Sequence, residues 1–119
     1  MYLIRYYFGN SVEVRSTDHF VNWLQGLRDT RARAVILARI RRLADGNAGD
    51  AAPVGGGVSE VRIHSGPGYR VYFTRRGTAL VVLLAGGSKH TQHRDIARAR
   101  ALAQSLSGES EHHDPHAPL

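Results

Sequence analysis

The sequence has no cysteine and only one methionine, one tryptophan and one lysine. Without thiols, a disulfide framework and a thiolate metal site are both excluded, which is compatible with a reducing compartment. No apolar run approaches the ~20 residues that a membrane-spanning helix needs. The opening MYLIRYYFGN is too short and too polar for a secretory leader, so the expected location is cytoplasmic. Acidic residues are few: ten face sixteen basic ones, fifteen of them arginine, for a net charge of +6. Arginine presents a planar, permanently charged fork that suits phosphate. A surface with this excess is expected to meet a polyanion or an acidic protein. A chain of 119 residues corresponds to one domain with a core large enough to fold without covalent staples.

Tyr2 to Phe8 is rich in strand-forming residues and is followed by a Gly9-Asn10 turn. Val12 to Arg15 is then either a second short strand or the only N-terminal strand, with the first ten residues as an extension. Thr17 or Asp18 suits a helix N-cap, and Phe20, Trp23, Leu24 and Leu27 follow at helical spacing. A second helix is predicted from about Arg31 to Ala44, with Ile36, Ile40 and Leu43 as its apolar stripe and Gly46-Asn47 as its stop. The short link between them predicts an antiparallel helical hairpin. NAGDAAPVGGG (47–57) reads as a connecting loop. A last helix is predicted from Thr91, burying Ile96, Ala99, Ala103 and Leu106. The ordered domain is expected over 1–106 and a disordered tail over 107–119. His112, His113 and His116 in that tail have no packing to fix a metal site.

The centre of the chain is 60–89, EVRIHSGPGYRVYFTRRGTALVVLLAGGSK. Strand alternation puts Val61 and Ile63 on one face and Glu60, Arg62 and His64 on the other. Beyond the Gly-Pro-Gly turn, Tyr69, Val71 and Phe73 share one face, and Arg70, Tyr72 and Thr74 the other. A hairpin that buries both apolar sets together also brings Arg62 and Arg70 together, opposite or one diagonal step apart. Like charges facing across a ladder weaken a sheet. Either the two hold an anion between them, or they are surface arginines with Glu60 as a local counter-charge. Leu80 to Ala85 is apolar at every position, as in a central strand covered on both faces.

Several segments, in order, resemble the phage-derived Gp49/HigB-like addiction module killer family of the RelE/ParE toxin superfamily. They are the F-x-x-W-L helix, the L-R-D-x-R-A-R hinge, the G-N-x-G-D loop, the G-x-G-Y-R-V-Y-F hairpin, and the G-G-x-K-x-x-Q-x-x-D-I entry to the last helix. The resemblance covers about Asp18 to Ala103. It implies an α+β fold of the RelE/ParE type: a helical hairpin packed on a small, twisted, mainly antiparallel sheet, with a C-terminal helix.

The resemblance also implies a toxin of a type II toxin–antitoxin system that cuts messenger RNA, in many members on the ribosome, without metal or cofactor. The RNA 2′-hydroxyl attacks its adjacent phosphorus and the next 5′-oxygen leaves, helped by a base, cations and an acid. Arg70 matches the superfamily arginine set against the scissile phosphate. Arg62 and Lys89 are the further cations, and His64 or His90 the proton-transfer groups. Tyr72, Arg75, Arg76, His93 and Arg94 are the expected RNA-binding residues, Tyr72 as a platform for a base. Members of the family commonly carry an acidic residue where this chain has Ser88. The expected partners are mRNA, a helix-turn-helix antitoxin, and promoter DNA through that antitoxin, with no membrane. The alternative within the superfamily is a ParE-like protein that inhibits DNA gyrase by binding alone.

Overall fold

The computed structural model describes residues 4–8 and 12–111, with side chains over 12–106. The expected Gly9-Asn10 turn and the histidines at 112, 113 and 116 lie outside the described residues. The elements in chain order are β1 (Ile4–Phe8), β2 (Val12–Ser16), α1 (Asp18–Gly26), α2 (Thr30–Ala44), β3 (Ala51–Gly55), β4 (Val58–Ile63), β5 (Tyr69–Arg76), β6 (Leu80–Ser88) and, after a single 3₁₀ turn (Lys89–Thr91), α3 (Gln92–Glu111).

The six strands form one sheet in the order β1-β2-β6-β5-β4-β3. Only the β2–β6 pair is parallel, so the sheet is mixed and mainly antiparallel. Both N-terminal strands exist, paired with each other from Ile4↔Ser16 to Phe8↔Val12. β6 lies inside the sheet, and Val81 to Gly87 are buried, as its uninterrupted apolar run predicts.

The helices cover the sheet on both faces. Phe20, Ile36, Ile40 and Leu43 from α1 and α2 pack with Val14, Val61, Ile63, Val71, Phe73, Val81 and Leu83. Ala99 and Ala103 from α3 pack on Val58, Tyr72, Val82, Leu84 and Ala85 on the opposite face. A bulge between β5 and β6 leaves Leu84 extra between the pairs Phe73↔Leu83 and Tyr72↔Ala85. That extra residue is why Leu84 and Ala85, neighbours in sequence, both join the α3 side.

Caps fix the helix starts. Thr17 Oγ1 accepts from Phe20 N at 3.1 Å and donates to Leu84 O at 2.7 Å, tying α1 to the central strand. Asp29 Oδ1 accepts from Ala32 N at 3.1 Å to open α2. The last helix is led in by the 3₁₀ turn: Ser88 precedes it, and its N–H donates to Thr91 Oγ1 at 3.1 Å.

Two sequence expectations need correction here. The stretch taken as a loop contains β3, an edge strand antiparallel to β4. Its local composition disfavours a strand, but Pro53, which lacks an N–H, is tolerated at a sheet edge. The central strand is also longer than the apolar run of Leu80 to Ala85, because Gly86 and Gly87 continue β6 to Ser88.

Candidate functional site

β4 and β5 place Arg62 directly opposite Arg70, the closer of the two arrangements that alternation allows. Between them stands Glu60, with only 1% of its surface exposed. Arg70 Nη1 lies 2.9 Å from Glu60 Oε1, and Arg62 Nε 3.2 Å from Glu60 Oε2. From the start of α3, Gln92 Nε2 donates to Glu60 Oε1 at 2.8 Å. Tyr72 OH makes a longer contact to the same oxygen at 3.4 Å. The anion held between the two arginines is thus the protein's own buried carboxylate, the counter-charge alternative of the sequence reading.

The network continues outward. Arg62 Nη1 donates to Asp50 Oδ1 at 2.8 Å, and His64 Nε2 lies 2.7 Å from Asp50 Oδ2. One carboxylate therefore holds a guanidinium on one oxygen and an imidazole on the other. The hydrogen bond from His64, with help from the hydrogen bond and charge of Arg62, keeps the Asp50 carboxyl below its ordinary value of 3.8. An ionised carboxylate can only accept. His64 Nε2 is then the donor, and Nδ1 of the neutral ring carries the free lone pair.

Asp50 is set by the loop before β3. Its carbonyl accepts from Arg62 N at 2.8 Å. Arg39 of α2 reaches across to donate to Ala48 O at 3.0 Å and to Arg62 O at 3.3 Å. The helix layer thereby pins the loop against the end of β4.

At the end of β6 two glycines allow close approaches. A Cβ on Gly86 would enter the ring of Trp23, and one on Gly87 would collide with the Asp95 carboxylate and Thr91 Oγ1. Asp95 is buried and accepts from Thr91 Oγ1. The G-G and Q-x-x-D parts of the motif are thus packing features that seat α3 over β6 and aim Gln92 at Glu60.

The predicted site residues divide by position. Arg62, His64 and Arg70 lie in one network with Glu60, Asp50 and Gln92. Lys89 is exposed just beyond β6, with its Cβ beside the Gly68 turn, 3.6 Å from the position a Cβ on Gly68 would take. His90, His93 and Arg94 are exposed along the same end. Arg75 and Arg76 are five and six residues along β5 from Arg70, about 17 Å or more away at about 3.3 Å per residue. They form no part of this cluster.

Tyr72 corrects an expectation. Its side chain is 0% exposed within the α3-side core, so its ring has no face open to a base. Burial first, then the charges of Glu60 and Asp95, push its hydroxyl far above the ordinary tyrosine range, so it remains a neutral donor. Tyr69 lies on the opposite face, as alternation requires, edge-on to Trp23 with centroids 6.1 Å apart.

The profile of a family described as phage-derived Gp49-like protein matches residues 22–104. An uncharacterized protein of Haemophilus influenzae is 47% identical over 96 residues, covering 81% of this chain and 97% of the relative. This chain belongs to the Gp49-like family. The family is one of toxin-like proteins of the RelE/HigB type. The matched segment contains the whole Asp50–Glu60–Arg62–Arg70 network and Gln92.

Sequence reasoning left Asp50 and Gln92 without a role and treated Glu60 only as background charge. Asp50 and Gln92 nevertheless stand in the G-N-x-G-D and K-x-x-Q segments that carry the Gp49-like resemblance, and that recurrence was the available signal.

Proposed function

We propose that this Gp49-like protein is the toxin of a type II toxin–antitoxin pair and that it cuts single-stranded messenger RNA without a metal. The observation that carries this reading is the double use of Asp50, which holds His64 by one oxygen and Arg62 by the other. An oriented proton-transfer group beside a fixed guanidinium is what intramolecular phosphoryl transfer asks of an enzyme.

In this mechanism His64 Nδ1 accepts the proton of the RNA 2′-hydroxyl, and that oxygen forms a bond to the adjacent phosphorus. The bond from phosphorus to the 5′-oxygen of the next nucleotide breaks. The imidazolium of His64, held by Asp50, returns the proton to that oxygen. The products are a 2′,3′-cyclic phosphate and a 5′-hydroxyl. Arg62, 38% exposed, and Lys89 face the charge that builds on phosphorus. Arg70, 14% exposed, acts through Glu60 and positions Arg62. His90, His93 and Arg94 extend the contact to flanking RNA.

The net charge of +6 suits an acidic antitoxin, here a helix-turn-helix repressor that brings the toxin to promoter DNA. The mRNA is engaged free or on the ribosome. The second reading, ParE-like inhibition of gyrase by binding alone, is favoured by one observation: Glu60 and Asp50 already compensate the arginine pair from within the protein.

Controlled expression followed by mapping of mRNA 5′ ends separates the two. Growth arrest with new 5′ ends, both absent for His64→Ala, is the expected result. Arrest with intact mRNA and altered DNA supercoiling overturns the nuclease in favour of gyrase.

A further inference from the structure

The arginines at the far end of β5 differ in kind from the pair at its start. Arg62 and Arg70 face carboxylates of the chain itself. Arg75 and Arg100 have no carboxylate partner among the described residues. Both border a cleft of about 750 Å³ between the β3–β4 turn, the end of β5 and the middle of α3. Its lining includes Gly56, Gly57, Thr74, Arg75, Arg76 and Arg100, and no acidic side chain among the described residues.

The turn is built to bring backbone and guanidinium together. Gly55, Gly56 and Gly57 have φ of +90°, +66° and +78°, a run open to glycine and costly for other residues. With no Cβ in the way, the Arg100 side chain lies on this bare backbone: a Cβ at Gly56 would stand 3.2 Å from Arg100 Nε. Thr74 Oγ1 donates to Gly57 O at 2.8 Å and fixes the turn to β5. Arg76 is anchored to Ala103 O at 3.0 Å. Arg75 is exposed, its guanidinium carbon 5.7 Å from the Phe73 ring centroid.

We propose that this cleft is a second site for the RNA backbone, holding phosphates of the strand whose scissile bond lies at His64. α3 covers the face of β5 that Thr74 shares with Tyr72 and Arg70, so a phosphate reaches the cleft from the side of the exposed Arg75 and Arg100. Uncompensated arginine forks give affinity for phosphate, while the balanced network around Glu60 gives geometry. The proposal deepens the nuclease reading and rests on it for the choice of RNA.

The test is binding of a fluorescent, fully 2′-O-methylated single-stranded RNA, which lacks the nucleophile, at about 50 to 200 mM salt. Arg75→Ala/Arg100→Ala is expected to weaken binding about tenfold or more and to reduce the salt slope by about 1.4, for two phosphates at about 0.7 each. Arg75→Lys/Arg100→Lys keeps the slope, and Gly56→Ala, which displaces Arg100 without removing charge, gives a smaller loss. Unchanged affinity and slope in the alanine variant overturn the cleft even where wild-type protein cleaves RNA. Binding that is lost in that variant, with no cleavage of unmodified RNA by wild type, sustains the cleft and removes the nuclease. Polyglutamate binding that depends on Arg75 and Arg100, with oligonucleotide affinity untouched, assigns the cleft to an acidic protein and overturns the proposal.

Discussion

Arg62 and Arg70 face each other across β4 and β5 and reach opposite oxygens of one buried carboxylate, Glu60. A repulsive cross-strand pair thereby becomes a three-membered ionic unit with Gln92 as its link to the last helix. Its worth to the fold depends on keeping all members. Removing one partner of a buried pair costs about 3–5 kcal/mol, whereas replacing both by apolar groups of similar size is often close to neutral.

Glu60→Leu is accordingly expected to destabilise the protein by about 3 kcal/mol, at the lower end because Arg62 is partly exposed. Glu60→Leu/Arg70→Met recovers much of that loss. Urea unfolding of the two variants beside wild type gives the comparison, and a double variant no more stable than the single one contradicts the account of Glu60 as counter-charge.

Gly86→Ala drives a methyl group into the Trp23 ring, which is already packed between Phe20 and Tyr69. Overpacking of this kind costs about 1–3 kcal/mol. The expected outcome is a lower thermal midpoint with a shift in Trp23 fluorescence. Unaltered stability and emission show that Trp23 does not press on β6.

Much of this arrangement was legible because its signals are local. Alternation alone put Arg62 and Arg70 on one face, and the unbroken apolar run of Leu80 to Ala85 announced an interior strand. Thr17 and the Ile36, Ile40, Leu43 stripe announced the helices. What failed depends on distant partners. Ala51–Gly55 is a strand because β4 offers it an edge, against the preference of its own Pro53 and Gly55. Asp50 and His64 lie 14 positions apart and meet because the β3–β4 hairpin folds one back on the other, with Arg62 N–H donating to Asp50 O. Tyr72 looked available to RNA because alternation assigns a face but not what covers it, and α3 covers that face. Strand rise separates Arg75 and Arg76, expected to bind RNA, from the network around Arg70, and places them at the cleft beside Arg100 instead.

Acid titration probes Asp50. With its folded value held below 3.8, the ionised carboxylate stabilises the fold at pH above 3.8, and that contribution is lost as pH falls through the lower folded value. Thermal unfolding of wild type and Asp50→Asn is expected to differ at pH above 3.8 and to converge in the acid limb. A gap that widens as pH falls below 3.8 contradicts the assigned partners.

The most direct measurement of the central claim is the end chemistry of RNA treated with the purified protein in EDTA. A single-stranded RNA should yield 2′,3′-cyclic phosphate and 5′-hydroxyl ends, with the rate lowered by about 10²–10⁴ in His64→Ala. RNA left intact in EDTA, or cut equally by His64→Ala, would contradict it.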